Sequence, residues 1–422
     1  MSAPKRVLMV AYHFPPLSGS SGIQRTLRFV QHLPAFGWQP IVLSADPRAY
    51  DRVSDDLIAD IPASTPVRRA FALDTARHLS IGGRYVGAWA RPDRWVSWRF
   101  DAVRQGLQLI RKYKPQAIWS TYPIATAHLI GSTLARRSGL PWIADFRDPM
   151  AQEGYPADPQ TWASYKRIEE NAAGQAALNV FATPGALREY QRRYPHAAER
   201  MTLVENGYDE GSFADVERSL LRSQPLNPGA LTLLHSGIVY PAERDPEPLF
   251  KALRSLLNSG RLAPRALRLR FRAAVHDALL QRMAKQYELG DVVETLPPLP
   301  YREALEEMLR ADALMVLQSN DCNDQVPAKL YEYFRAGRPV LCLADPVGDT
   351  ARACVDAGLP DVTALEDSEA IAQRLVVFVD KLMRRVTMVA RPDAVRAASR
   401  QARTARLATY LDALALRSEP TN

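Results

Sequence analysis

The chain has 422 residues, 47% hydrophobic and 24% charged, and its 54 Lys and Arg outnumber 46 Asp and Glu for a formal net charge of +8. That length suggests two domains, each large enough to bury its own core, and the composition excludes disordered and low-complexity classes. No apolar run approaches the ~18 residues of a membrane span, and three cysteines, Cys322, Cys342 and Cys354, lack the spacing of a disulfide framework or a zinc site.

In chain order, Lys5-Arg6 followed by Val7-Leu8-Met9-Val10-Ala11-Tyr12 has the polarity of a signal peptide. It is too short and no small-residue cleavage site follows, so it reads as the first buried strand of a soluble, cytoplasmic protein. Short β-branched runs then alternate with amphipathic stretches, the pattern of parallel sheets covered by helices on both faces. First-half strands are expected at 7–11, 40–44, 117–120, 142–145, 178–182 and 202–204, with helices over 22–35, 101–112, 125–138, 161–177 and 184–194. Second-half strands are expected at 231–235, 267–271, 292–295, 313–317 and 340–343, with helices over 247–258, 277–287, 302–310 and 328–336.

Asn206-Gly207-Tyr208, then polar sequence and the turn formers Gln224-Pro225-Leu226-Asn227-Pro228-Gly229, mark a boundary. The expected fold is α/β, two doubly wound Rossmann-like domains over 1–207 and 208–392. Such sheets bind ligands at the carboxyl ends of their strands, so the two are expected to face an interdomain cleft. A long Ala/Arg-rich helix in 393–422 is expected to cross back to the first domain. No repeat of 20 to 50 residues suggests a solenoid.

Chemistry-bearing residues cluster after expected strands. The loop Phe14-Pro15-Pro16-Leu17-Ser18-Gly19-Ser20-Ser21-Gly22 feeds a helix N-terminus, which offers amide groups and a positive dipole end to an anion. It lacks Gly-x-Gly-x-x-Gly and Gly-Lys-Ser/Thr, which excludes a dinucleotide fingerprint and a P-loop. Gly22 is the position for close approach of a phosphate or a sugar, unless the loop is an ordinary turn. His13 ends the first strand beside it. Asp145, Arg147 and Asp148 follow a buried strand and either face the cleft or, as an Arg147-Asp148 pair, hold their own loop. His128 reads as a packed histidine. The segment Trp89 to Phe100 mixes aromatic and basic residues, which suits structural packing, a membrane-facing rim or base stacking; no recognition helix or RNP sequence supports nucleic-acid binding. In Gln325 to Val340, Lys329 and Glu332 lie three apart on one helix face, able to address phosphate and sugar hydroxyls together, before Gly337 ends the helix.

Phe14-Pro15-Pro16 with its Gly/Ser loop, Ala144-Asp145-Phe146-Arg147-Asp148-Pro149, Asn206-Gly207-Tyr208-Asp209, Ser236-Gly237 with Arg244-Asp245-Pro246, and Pro327-x-Lys329-x-x-Glu332-Tyr333 stand in an order that resembles family 4 glycosyltransferases of the GT-B fold. The resemblance implies an N-terminal acceptor-side domain and a C-terminal nucleotide-sugar-binding domain. It implies a retaining hexosyltransferase that moves a sugar from a nucleotide-diphosphate sugar to an acceptor hydroxyl in surface polysaccharide or glycolipid synthesis, with no metal and no cofactor beyond that co-substrate. Glu332 would hold the ribose hydroxyls. Asp324 would contact the donor sugar, one methylene shorter than the glutamate common there. Of the family's two phosphate cations, Ile238 replaces the first and Arg244 stands at the second, so Lys329 is expected to supply the missing charge, helped by the amides near Gly22 and Gly237. His13, Asp145, Arg147 and Asp148 would face the acceptor or the transferred sugar; Ser120 or Thr121 stands where many members carry a histidine. The expected partners are a nucleotide sugar, a glycan or lipid-linked acceptor and, given the net charge, an anionic membrane at the inner face of the cell. A non-catalytic nucleotide-sugar-binding protein and a nucleotide-sugar epimerase are the alternatives.

Overall fold

The computed structural model describes residues 4–20, 22–220 and 224–418; Ser21 of the small-residue loop lies outside them. The chain forms two compact units, one that runs through Asn206 and resumes at Arg400, the other Gly207–Ser399.

In the first unit the order is β1 (Lys5–Val10), α1 (Gly22–His32), β2 (Trp38–Ala45), β3 (Val67–Ala70), α2 (Thr75–His78), α3 (Trp98–Tyr113), β4 (Ala117–Thr121), α4 (Thr126–Ser138), β5 (Trp142–Arg147), α5 (Pro159–Gln175), β6 (Leu178–Phe181), α6 (Pro184–Arg193) and β7 (Met201–Leu203). The described strands form one sheet in the order β3-β2-β1-β4-β5-β6-β7, with every pairing parallel. The unbroken apolar run of β1 follows from this position. Leu8 and Val10 enter the core on one side of the sheet, and Val7 and Met9 enter the core on the other. A central parallel strand is apolar on both faces because helices cover both.

The second unit runs α7 (Glu210–Ser219), β8 (Leu231–Ser236), α8 (Glu247–Asn258), β9 (Leu267–Arg272), α9 (Asp277–Gln286), β10 (Val293–Leu296), α10 (Tyr301–Arg310), β11 (Ala313–Gln318), α11 (Lys329–Ala336), β12 (Val340–Ala344), α12 (Asp349–Asp356), β13 (Val362–Thr363), α13 (Ser368–Met383) and α14 (Pro392–Ala397). Its sheet order is β10-β9-β8-β11-β12-β13. In each unit the first strand therefore sits between the second and the fourth, the point at which a doubly wound sheet reverses direction and opens a ligand crevice.

Three differences from the sequence reading have local causes. The polar stretch after Tyr208 is helix α7: the Asp209 side chain caps it by accepting from Ser212 N–H at 2.9 Å, and Phe213 and Val216, three apart, are buried. The helix expected over the last thirty residues is broken, because Tyr208 N–H donates to the Ala398 carbonyl (3.2 Å) where α14 ends. Its continuation, α15 (Arg400–Ser418), packs Leu407, Ala408 and Leu411 against Val7 and Met9 in the first unit. Helix α13, with Ile371, Leu375 and Phe378 buried and Asp367 as its cap, was not among the expected elements.

Candidate functional site

Each unit gathers charged and imidazole groups at the carboxyl end of its first strand. In the first, the chain leaves β1, passes His13 and reaches Gly22 at the start of α1. His13 Nδ1 lies 2.9 Å from Ser20 Oγ, which also accepts from the Gly22 amide at 3.2 Å. A Cβ on Gly22 would sit 2.5 Å from His13 Nδ1 and 2.6 Å from Arg147 Nη1, so only glycine lets these two side chains close over the helix start. Arg147 ends β5 with φ 63°, a left-handed conformation sparsely populated by residues other than glycine. Its guanidinium is buried, Nη1 reaches the Tyr122 carbonyl at 3.5 Å, and Nε has no hydrogen-bond partner. Burial, then the Arg147 charge, pushes the His13 pKa down to about 4, which leaves a neutral imidazole at neutral pH.

Asp145 and Asp148 are separated by the structure. Asp148 is exposed at the loop, whereas Asp145 is fully buried and takes Arg25 Nη2 and Nε at 2.6 and 2.9 Å and the Thr121 hydroxyl at 2.8 Å. Arg25 goes on to the carbonyls of Val204 and Glu205. This is an internal two-pronged ion pair that ties β5 to α1 and to the end of β7. The loop after β5 is further fixed by buried Glu169, which accepts from the amides of Met150 and Ala151 at 3.1 and 2.8 Å. His128 is buried in α4 as expected of a packed histidine, against Phe146 and Trp142.

In the second unit, β8 ends at His235-Ser236 and runs into Gly237 with φ 123°. A Cβ on Gly237 would lie 2.9 Å from Lys329 Nζ, the first residue of α11. Lys329 Nζ is 3.0 Å from His235 Nε2, and His235 Nδ1 is 3.1 Å from the Met315 carbonyl. A carbonyl can only accept, so Nδ1 carries the proton and Nε2 accepts from the lysine. Burial foremost, and then Arg244, holds the Lys329 ammonium well below the usual lysine range; burial followed by Lys329 does the same to His235. Arg244 does not pair with Glu243 or Asp245. Its Nη1 donates to the Ile238 carbonyl at 2.9 Å, its plane lies 5.0 Å over the Tyr240 ring, and its buried Nε has no partner. Glu332 lies one turn beyond Lys329 and accepts from the Tyr301 hydroxyl at 2.9 Å; Tyr333 takes the Ser236 amide at 2.9 Å. Asp324 is exposed in the loop between β11 and α11, which Asn323 and Gln325 tie to α12 through Asp349 N–H and the Thr350 hydroxyl. Among the described residues no group of His, Cys, Asp and Glu is arranged to hold a metal ion.

Residues 21–207 match the family model described as Glycosyl transferase 4-like domain. That match spans most of the first unit. Solved structures resemble the chain over nearly its whole length: a glycosyltransferase from Rickettsia africae (10% identity, TM-score 0.65, 99% of this chain and 100% of that one), Anabaena HepE in complex with UDP and glucose (12%, 0.59, 97% and 100%) and sucrose-phosphate synthase from Thermosynechococcus elongatus (14%, 0.56, 98% and 97%). At such identities the likeness concerns the fold, and that fold is GT-B. No curated protein matches the sequence.

On this GT-B frame, several residues of the two clusters escape a motif-based reading. Arg25 lies inside an amphipathic helix pattern and nothing in its spacing announces a buried charge. His235 is one residue in a β-strand run, and its signal is the directly following Ser236-Gly237. Tyr240 and Tyr301 carry none. The Trp89 to Phe100 segment divides: Trp98 is buried in the core, Trp95 packs on Tyr12 at 4.8 Å, and Asp93 accepts from Thr126 N–H and its hydroxyl at 2.8 and 2.9 Å at the start of α4, while Trp89 and Phe100 point outward, 55% and 76% exposed.

Proposed function

We propose that the protein is a retaining glycosyltransferase that moves a sugar from a nucleotide-diphosphate sugar to an acceptor hydroxyl in the assembly of a surface polysaccharide or glycolipid. The observation that carries this reading is the joining, at the reversal point of the second sheet, of a glycine backbone, Lys329 and Arg244 beside a carboxylate one helical turn away. A lysine hydrogen-bonded to a neutral histidine and an arginine whose Nε lacks a partner form a seat that an oxyanion completes. The diphosphate would rest on Lys329 and Arg244, close to the Gly237 backbone, Glu332 would take the ribose hydroxyls, and Asp324 the sugar. HepE, a protein of the same fold, is known with UDP and glucose bound.

In the reaction, the bond from the anomeric carbon to the β-phosphate oxygen breaks and its electron pair goes to the diphosphate. The acceptor oxygen bonds to that carbon on the same face, and its proton passes to a leaving phosphate oxygen. Charge therefore grows on the diphosphate, where the cations stand, and no protein base is consumed. The first unit, with neutral His13 beside Gly22 and Arg147, would orient the acceptor and the transferred sugar.

A panel of nucleotide sugars, with and without lipid-diphosphate and glycan acceptors, tests this. Release of nucleoside diphosphate that depends on an acceptor, with a glycosylated product of unchanged anomeric configuration, is the expected result. Conversion to a second nucleotide sugar without acceptor identifies an epimerase, and binding without release across the panel identifies a non-catalytic protein.

A further inference from the structure

Outside both clusters, the helices α3, α4 and α5 of the first unit enclose two adjoining hollows of about 480 and 360 Å³ that share Arg99 and Thr133. Neither is lined by an acidic residue. Arg99, Arg111, Arg136, Arg137 and Arg167 contribute to these walls, are exposed, and make no ion pair among the described residues. The two other arginines on these walls do find carboxylates, Arg104 pairing with Asp101 and Arg91 with Asp158. Five unmatched guanidinium groups on one helical layer repel one another unless anions come between them.

The floor of the smaller hollow supplies an independent sign of an anion. His128, fully buried, is one of its lining residues. Trp142 Nε1 can only donate, and it donates to Ser120 Oγ at 2.8 Å; His128 Nδ1, 2.8 Å from Ser120 Oγ, is the only acceptor the Ser120 hydroxyl finds among the described residues, so the hydroxyl donates to it. Burial pushes the His128 pKa down to about 4, so the ring is neutral and its single proton sits on Nε2. That N–H has no partner. Gly131 makes the relay possible, since a Cβ there would come within 2.7 Å of both Ser120 Oγ and Trp142 Nε1. A buried donor chain ending in an unmatched N–H, in a hollow ringed by arginines, suits a phosphate oxygen.

The rim is apolar. Phe100, 76% exposed, lines the larger hollow with Val103 and Leu107, and Trp89 and Ile81 stand exposed on the preceding segment. Arginine hollows beside outward aromatic side chains match an anionic bilayer, where phosphates meet the guanidinium groups and rings enter the acyl boundary. We propose that the α3–α4–α5 face docks this protein on anionic phospholipid, with one headgroup phosphate seated between Arg99, Arg136, Arg167 and the His128 N–H. The proposal is independent of the donor site, and its failure leaves that reading untouched.

Flotation of the full chain with phosphatidylglycerol-containing vesicles and with pure phosphatidylcholine vesicles tests it. The expected result is binding to the anionic vesicles alone, weakened by salt, with affinity falling about fivefold for each arginine removed. The triple variant Arg99→Glu, Arg136→Glu, Arg167→Glu should fall below detection, and Phe100→Ser should weaken binding at constant charge, both with unchanged melting temperature and unchanged solution affinity for nucleotide. Equal binding by wild type and the triple variant overturns the proposal, as does no binding to either vesicle. Soluble glycerol phosphate or a single-stranded oligonucleotide bound through these arginines, with vesicles left unbound, also overturns it by assigning the hollow to a free phosphate or a nucleic acid.

Discussion

The two Rossmann-like units repeat one device with different degrees of closure. Each ends its first strand beside a glycine that a cationic side chain overlies, Arg147 against Gly22 and Lys329 against Gly237, and each sets a histidine of lowered pKa next to that cation. In the second unit the histidine is within the strand, sealed, and locked between a carbonyl and the lysine. In the first it lies in the loop after the strand, half-buried, and its partner is a serine hydroxyl. A sealed cation–imidazole pair is a fixed seat for charge. A half-buried imidazole beside a hydroxyl can exchange partners, which suits the varied acceptor side of a transferase better than the invariant diphosphate.

The largest expected effect tests the frame beneath the first cluster. Arg25 and Asp145 are both buried, and removing one charge of such a pair leaves the other uncompensated. Asp145→Asn should cost about 3 to 5 kcal/mol in denaturant unfolding; a loss under about 1 kcal/mol would mean that Asp145 is available for ligand and not committed to the fold.

Next in size is Lys329→Met. If the ammonium carries the diphosphate, turnover with the best donor should fall by about 10² to 10³, the loss seen when one preorganised donor to developing charge is removed. The same group predicts a pH signature. Its pKa is depressed in the empty protein and must rise when a diphosphate arrives, so between those two values binding takes up a proton, and nucleoside diphosphate affinity should weaken as pH rises through that window. Calorimetry in buffers of different ionisation enthalpy should detect that proton in the wild type and lose it in Lys329→Met. Proton uptake that survives the substitution would assign the linkage to another group.

The contrast between the clusters also explains what could be read from the sequence. Strands buried on both faces are announced by short, largely apolar runs, so β1, β4, β5, β8, β11 and β12 were expected within a residue or two of where they stand. Of the four edge strands, β7 and β10 were expected and β3 and β13 were not, because Val67-Arg68-Arg69-Ala70 is half arginine and Val362–Thr363 is two residues long. Helix α7 hid behind polar residues, because its stability rests on the Asp209 cap and on Arg335 pairing with Glu210 and Glu217, contacts that no window of sequence displays. Lys329, Gly237 and Gly22 drew notice because each follows a strand or opens a helix, and Glu332 because it stands one turn after Lys329. The Arg25–Asp145 pair and the His235–Lys329 contact join residues 120 and 94 positions apart, beyond any local pattern.

The smallest effect sharpens the comparison most, since it asks whether the two glycines do the same work. Gly237→Ala puts a side chain at φ 123°, a conformation costing on the order of 1 to 3 kcal/mol, and presses it on Lys329 Nζ. The loss should appear in nucleotide affinity. Gly22→Ala keeps an ordinary helix-start backbone and displaces only the far ends of His13 and Arg147, so nucleotide affinity should stay within about twofold while transfer to acceptor drops about tenfold from misplacement of those side chains. Both are read from one experiment, nucleoside diphosphate binding beside acceptor-dependent turnover. If Gly22→Ala weakens nucleotide binding as strongly as Gly237→Ala does, the front loop of the first unit holds phosphate too, and the division of labour between a fixed seat and an adaptable one is wrong.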